Sequence, residues 1–273
     1  MKRPLVVLFD SGLGGLSVFK AVRKAREDAD YLYVADNGGF PYGSLGPSDI
    51  VRRVITIFDT LQSSRPALAV IACNTASTLV LPFLRQRHAY PFVGTVPAVK
   101  PAAENTTTGI VAVLSTPGTL DRDYTRNLIN EFASHVHVRV VGSANLAGYA
   151  ERILSGGLVD DEDIKREVMP AFYEMDIGEM DTGRCDTIVL ACTHYPLILD
   201  RLQVVAPWHA DWIDPAPAIA CRVVDLLREW PVMPGNGNAR AIITDPDGVR
   251  RFRPIFQRFG LSLIAGKAEE VPA

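Results

Sequence analysis

Two cysteines stand in matched surroundings. Cys73 lies in LAVIACNTAS (68–77) and Cys192 in TIVLACTHYP (187–196), and in each segment an apolar run ends in Ala-Cys before polar residues follow. A thiol beside backbone amides and hydroxyl donors can lose its proton, and the thiolate is a competent base. A single cysteine in this setting more often fills space in a core. Two such cysteines favour a pair that acts as acid and base.

The other two cysteines lack that setting. Cys185 lies in a polar connector, and Cys221 lies in IACRVVDLL, an apolar pattern typical of a helix. The four cysteines form no CxxC pair and have no histidine at a spacing suited to zinc. We therefore expect no metal site and no chemical role for Cys185 or Cys221.

The residues that follow the two candidate thiols could assist them. They are polar: Asn74, Thr75, Thr193 and His194. Only His194, among the five histidines, lies beside a candidate thiol. An imidazole can take up or relay a proton near neutral pH. His194 is therefore the first candidate for an auxiliary acid or base.

Two further segments place polar residues where apolar runs end. FDSGLGGLSV (9–18) brings Asp10 and Ser11 there and adds glycines, which let the backbone turn tightly and approach a ligand. Its glycines match neither GxxxxGKS nor GxGxxG, so nucleotide binding has little support. ADNGGFPYGS (35–44) holds a second cluster, with Asp36, Asn37, Pro41, Tyr42 and Gly43. Each segment taken alone is also compatible with a plain turn.

The elements that must position these residues alternate along the chain. Short apolar runs recur with helix-like segments between them: LVVLF (5–9), YLYVA (31–35), LAVIA (68–72), GIVAVL (109–114), VHVRVV (136–141), TIVLA (187–191) and ARAIIT (239–244). This alternation predicts an α/β fold, with mostly parallel sheets covered by helices. Ligands of such sheets gather at the carboxyl ends of the strands, where both thiols would lie.

Three helices are predicted from apolar periodicity. They cover 16–27, 48–63 with Ser48 as the N-cap, and 160–173 with Pro170 as a weak point.

The length of 273 residues favours two domains. Pro97 and Pro101 interrupt the chain once, and the prolines of 207–217 mark a second crossing. We expect residues 98–210 to form a second α/β domain inserted into a first one made of 1–97 and 211–273. Two similar domains would leave a cleft for the active site.

The composition argues against a nucleic-acid or membrane partner. Hydrophobic residues make up 48% of the chain, charged residues 22%, and the formal net charge is -3. The densest cationic stretch, 250–253, is too short for a nucleic-acid surface. No apolar run approaches the roughly 20 residues of a membrane span, and MKRPLVVLFDSG is typical of a first strand rather than a signal peptide. We expect a cytoplasmic protein with a small-molecule ligand.

Six collinear motifs carry a resemblance to a known family. FDSGLGG, ADNGGFPYG, ACNTAS, VPAVKPA, TPGTLDRDY and ACTHYPL occur in that order over residues 5–220. With them the chain resembles the glutamate racemases of the aspartate/glutamate racemase superfamily. Two departures are mild: Ala191 stands where the family often has Gly, and 44–46 lacks a frequent basic residue.

The resemblance implies roles for individual residues. Cys73 and Cys192 match the catalytic pair, Asp10 and His194 match auxiliary groups, and Glu151, in SANLAGYAERIL, matches a glutamate of the second domain. The residues that match the family's substrate contacts are Asp10, Ser11, Pro41, Tyr42, Gly43, Asn74, Thr75, Thr119, Thr193 and His194. Thr116 is a further candidate for such a contact.

The resemblance also implies an activity. Inverting an α-carbon requires a base on each face, and two thiols meet that need. No lysine lies in a recognisable pyridoxal phosphate context, so we expect no cofactor and a carbanion stabilised by amide and hydroxyl donors. The expected enzyme is a cytoplasmic homodimer that interconverts L- and D-glutamate and supplies D-glutamate for peptidoglycan synthesis and cell shape. It needs no nucleic acid and no membrane.

Two alternatives remain open on the sequence alone. The first is a superfamily relative that acts on aspartate, a hydantoin or a malonate-like acid, although the presence of both thiols disfavours the single-cysteine decarboxylases. The second is a binding module whose cleft senses an acidic metabolite, or whose surface binds another protein, without catalysis.

Overall fold

A computed structural model describes residues 2–120, 123–178 and 181–264. Asp121 and Arg122 of the TPGTLDRDY motif, and residues 265–273 of the predicted first domain, lie outside the described residues. The chain packs as two compact units. Unit 1 comprises Met1–Thr95 and Ala216–Ala273, and unit 2 comprises Val96–Pro215.

Twelve strands occur in the described residues. In chain order they are β1 Leu5–Asp10, β2 Asp30–Ala35, β3 Leu68–Ile71, β4 Phe92–Gly94, β5 Ile110–Ser115, β6 His137–Gly142, β7 Glu174–Gly178, β8 Asp181–Arg184, β9 Thr187–Ala191, β10 Asp211–Ile213, β11 Ala239–Ile243 and β12 Ser262–Leu263.

Eleven α-helices occur in the same ranges. They are α1 Leu16–Ala25, α2 Pro47–Thr60, α3 Asn74–Arg87, α4 Val99–Asn105, α5 Pro117–Leu120, α6 Asp123–Phe132, α7 Leu146–Leu154, α8 Asp161–Val168, α9 Leu199–Val205, α10 Ala216–Leu226 and α11 Val249–Arg258.

Unit 1 is built on a six-stranded sheet in the order β12-β11-β2-β1-β3-β4, and its neighbouring strands pair in parallel. β1 and β3 are buried almost throughout, as expected for strands covered on both faces. Phe9 is aligned with Val34 on one side and Ile71 on the other. The residues that follow these strands therefore meet at one edge of the sheet.

Unit 2 has its own four-stranded sheet in the order β10-β9-β5-β6, again with parallel pairs, and a separate antiparallel pair of β7 and β8. Ser115 is aligned with Ala191 and with Gly142. The carboxyl ends of β5, β6 and β9 thus lie side by side. The predicted α/β class with parallel sheets is confirmed.

The predicted helices differ from the structure at their ends. Ser48 was wrong as the N-cap of α2, because the helix begins at Pro47 and Gly46 is its N-cap. Proline suits the first helical position, since its fixed φ is helical and its missing N–H would have no partner there. The helix predicted over 160–173 ends at Val168, and Pro170 lies in a following 3₁₀ turn.

No helix within the described ranges is long and apolar enough to cross a membrane.

Candidate active site

The carboxyl edge of the unit 1 sheet gathers three of the polar side chains noted in the sequence. Asp10 ends β1, Asp36 follows β2, and Cys73 follows β3 after Ala72. All three are buried, and the two aspartates are fully so. The parallel register of β1 with both neighbours produces this cluster.

The turn after β1 holds Asp10 in place. Its Oδ1 accepts a hydrogen bond of 2.7 Å from the Gly12 N–H, and the Tyr33 hydroxyl donates to the Gly12 carbonyl at 3.0 Å. A Cβ at Gly15 would lie 2.8 Å from both Asp10 Cβ and Tyr33 Oη. Gly15, the last glycine of FDSGLGG, is therefore required for close packing against Asp10.

Cys73 lies at the amino end of a long helix. It is the N-cap of α3, with an extended backbone, and its Sγ is 3.9 Å from the Ser11 hydroxyl. A helix of 14 residues presents partial positive charge at this end. The position therefore favours a negative charge on the sulfur.

Asn74, the next residue, is buried with its polar atoms unused. It is 3% exposed, and neither its Nδ2 nor its Oδ1 has a hydrogen-bond partner among the described residues. Leaving a buried amide unpaired costs about 1–3 kcal/mol of stability, so an unpaired group of this kind often has a functional role. A ligand with both donors and acceptors would satisfy it.

The PYG segment, residues 41–43, is held by the carboxylate of Asp36, to which the sequence motifs assigned no role. Asp36 accepts hydrogen bonds from the Tyr42 hydroxyl at 2.5 Å, from Arg53 at 2.7 and 2.8 Å, and from Thr244 at 2.6 Å. Burial opposes its ionisation, but these bonds outweigh burial and lower the pKa of Asp36 from that of an ordinary aspartate. Arg53 and Thr244 lie on α2 and after β11, so no local motif could have linked them to Asp36.

These hydrogen bonds determine which groups of the PYG segment are available to contact a ligand. The Tyr42 hydroxyl is directed to Asp36 and its ring packs in a cluster with Cys73. Pro41 is exposed and Gly43 is half-buried. The predicted contact through Tyr42 would therefore use its ring or the backbone of the segment.

The carboxyl edge of the unit 2 sheet holds the second thiol. Cys192 directly follows β9 and is 7% exposed. Its Sγ lies 3.8 Å from His194 Nδ1, and His194 Nε2 lies 3.2 Å from Glu151 Oε1. His194 and Glu151 are also buried. A thiol, an imidazole and a carboxylate thus form a continuous chain.

This chain has the form that activates a thiol. One imidazole nitrogen can exchange a proton with the sulfur while the other is held by the carboxylate, which orients the ring. Glu151 reaches His194 from the middle of α7, far away in the sequence. The setting differs from that of Cys73, because Cys192 precedes a 3₁₀ turn over Tyr195–Ile198 rather than a long helix.

Threonines complete this edge. Thr119 is fully buried, and its hydroxyl lies 3.2 Å from that of Thr116, which follows β5. Thr193 is buried between Cys192 and His194 in the sequence. Hydroxyls at these positions are suited to an anionic ligand group.

The remaining cysteines lie elsewhere. Cys185 is fully buried, its thiol donates to the Thr187 carbonyl at 3.5 Å, and burial raises its pKa to about 11. Cys221 is exposed on α10. No group of three or more His, Cys, Asp or Glu in the described ranges could hold a metal ion.

The protein is thus of the α/β class, with a buried thiol at the carboxyl edge of each of its two parallel sheets. Residues 16–223 match the family model described as Asp/Glu/hydantoin racemase, and the chain belongs to this family. The resemblance read from the six motifs is confirmed.

Individual relatives are glutamate racemases. The chain is 46% identical to one from Brucella anthropi over 264 residues, covering 95% of this chain and 93% of the relative. It is 49% identical to one from Mesorhizobium japonicum, covering 81% and 84%. The crystal structure of Escherichia coli glutamate racemase, in complex with L-glutamate and the activator UDP-MurNAc-Ala, matches with a TM-score of 0.83 and 40% identity, covering 97% of this chain and 99% of that one.

Proposed function

We propose that this protein is a cofactor-independent glutamate racemase that interconverts L- and D-glutamate. The family membership and the near full-length similarity to glutamate racemases support the reaction and the substrate. The Cys192–His194–Glu151 chain carries the proposal, because a buried thiol with an oriented imidazole is equipped for proton transfer.

The proposed chemistry uses one thiol on each face of the α-carbon. In one direction the Cys73 thiolate removes the α-proton and becomes a thiol, while the Cys192 thiol donates its proton to the carbanion. The reverse reaction exchanges the two roles. Asp10 assists beside Cys73, and His194, backed by Glu151, assists Cys192.

Substrate binding is proposed to use the polar groups at both strand edges. Donors from amides and hydroxyls hold the substrate carboxylates and stabilise the negative charge that develops as the proton leaves. The proposed contacts are Asp10, Ser11, Pro41, Tyr42, Gly43, Asn74, Thr75, Thr119, Thr193 and His194. The unpaired amide of Asn74 is the strongest support among them.

Circular dichroism of L-glutamate incubated with the protein alone tests the reaction. We expect the signal to decay to zero with wild-type protein and to persist with Cys73→Ser or Cys192→Ser. The matched controls Cys185→Ser and Cys221→Ser should racemise at the wild-type rate. Full activity in either Cys73→Ser or Cys192→Ser would contradict the two-thiol mechanism, and faster reaction with L-aspartate would contradict the substrate.

We further propose that the enzyme works in the cytoplasm as a homodimer and supplies D-glutamate for peptidoglycan. Sedimentation equilibrium at micromolar protein concentration checks the dimer, which a single monomeric species would contradict. Cell fractionation checks the compartment, and a purely membrane-bound signal would contradict it.

A further inference from the structure

A carboxylate outside the proposed site holds the loop from which α7 begins. Glu167 lies on α8, and its Oε2 accepts a hydrogen bond from the Ser143 hydroxyl. Its Oε1 accepts one of 2.6 Å from the Asn145 side-chain amide, and the Asn145 backbone N–H lies 3.4 Å from Oε2. Both oxygens of Glu167 are therefore engaged by the connection between β6 and α7.

The same group caps α7. Asn145 occupies the N-cap position, yet its side chain makes no capping hydrogen bond. Ser143 Oγ instead accepts from the Leu146 N–H at 3.1 Å, and the charge of Glu167 lies beside this helix end, where an anion is favoured. Burial opposes ionisation of Glu167, but the bonds from Ser143 and Asn145 outweigh burial and lower its pKa from that of an ordinary glutamate.

α7 in turn carries Glu151, whose Oε1 lies 3.2 Å from His194 Nε2. A hydrogen-bonded helix transmits a shift of its first turn to residues further along. The loop also connects to the segment of the thiol by another route. The Ser143 N–H and the Tyr195 hydroxyl both donate to the Ser115 carbonyl, at 2.8 and 3.0 Å, and the Tyr195 N–H donates to the Cys192 carbonyl at 3.1 Å. Two paths therefore connect Glu167 to the groups around Cys192.

We propose that Glu167 is a positioning residue for the Cys192 half of the reaction. By fixing the 143–145 loop and the first turn of α7, it keeps Glu151 within hydrogen-bond distance of His194. The catalytic part of this inference rests on the proposed function. Glu167 itself does not touch the substrate.

Glu167→Gln tests the inference, because it preserves the shape of the side chain and removes its charge. We expect kcat for glutamate to fall roughly tenfold with little change in KM, since a misplacement of about 1 Å can cost up to about 100-fold in rate. We also expect iodoacetamide to alkylate Cys192 more slowly and Cys73 at an unchanged rate, as measured by mass spectrometry of the two peptides. Glu162→Gln, exposed on the same helix, is the matched control and should behave as wild type.

The outcomes separate this inference from the proposed function. If wild-type protein racemises glutamate and Glu167→Gln matches Glu162→Gln in kcat and in Cys192 alkylation, the positioning role is wrong and the function stands. If wild-type protein does not racemise glutamate, the alkylation rates still decide the positioning role. Equal slowing at both cysteines would also overturn it, since that result indicates a general change in the fold.

A second variant covers the case in which Glu167→Gln does not fold. Asn145→Ala removes one of the hydrogen bonds to Glu167 and leaves the carboxylate and Ser143 in place. A smaller slowing, again confined to Cys192, is expected. Unchanged alkylation of Cys192 in folded Asn145→Ala would overturn the inference.

Discussion

Asn74 is costly for the fold, and the proposed function gives it a use in binding. Its buried amide has no partner among the described residues, although it lies next to Cys73 in the sequence. A polar group in this state lowers the stability of the ligand-free protein. Under the proposed function, a bound glutamate supplies the missing hydrogen bond.

Asn74→Ala should therefore separate binding from stability. We expect KM for glutamate to rise about 10- to 100-fold, since a hydrogen bond to a charged group contributes about 1.5–3 kcal/mol. The midpoint of thermal unfolding should stay the same or rise, because the unpaired amide is removed. The exposed Asn130→Ala is the control for both measurements. A lower midpoint with an unchanged KM would show that Asn74 serves the fold instead.

Residues that belong to a motif can be recognised in the sequence, whereas residues defined by tertiary contacts cannot. Cys73, Cys192 and His194 could be selected from their neighbours in the sequence. Glu151 came only from the family resemblance, and the structure places it 3.2 Å from His194. Glu167 had no sequence signal, because its partners on the β6–α7 connection are more than 20 residues away.

At the scale of elements, a carboxylate ties together the starts of two strands in unit 2. Asp186 lies just before β9 and accepts four hydrogen bonds from the segment that precedes β5, from Thr106, Thr107 and Thr108. Burial opposes its ionisation, but these bonds outweigh burial and lower its pKa to about 2. β9 leads directly to Cys192, so this clamp supports the strand that presents the thiol.

The pH dependence of stability should reveal this clamp. A carboxyl group with a pKa lowered from 3.8 to about 2 stabilises the fold fully above pH ~4, and this contribution is lost as the pH falls towards 2. Asp186→Asn should lower the free energy of unfolding by about 1–2 kcal/mol at pH 6, a reduced figure for a half-buried group. Urea unfolding at pH 6, 5, 4 and 3 should show the difference from wild type shrinking below pH 4.

Asp211→Asn, exposed in the same unit, is the control and should show no such trend. A difference between Asp186→Asn and wild type that stays constant down to pH 3 would contradict the clamp.

The strands were easier to predict than the ends of the helices. Each of the seven predicted apolar runs overlaps a strand. Most of these strands are buried, and buried parallel strands need continuous apolar sequence. Short strands such as β10 and β12 have no comparable run and could not be recognised. Helix ends depend on single residues that apolar periodicity does not register. Pro47, whose φ is fixed in the helical range, begins α2, and Gly46 rather than Ser48 is its N-cap.

At the scale of the whole chain, the alternation of apolar runs and the chain length are enough to indicate an α/β fold of two domains. The predicted boundaries, after 97 and 210, lie near those of the compact units, after Thr95 and Pro215. Prolines indicate roughly where the chain passes from one unit to the other, but the last residue of a unit depends on packing. The direction of each proton transfer has no signature in composition or periodicity.

Racemisation in D2O shows whether a separate base acts on each face of the α-carbon. L-glutamate is incubated with the protein in D2O, and both enantiomers are separated early in the reaction and analysed by mass spectrometry and NMR. We expect D-glutamate that carries deuterium at the α-position while the remaining L-glutamate carries none, because one thiol removes the proton and the other delivers a deuteron. D-glutamate that retains the original proton, or L-glutamate that exchanges without inversion, would contradict it.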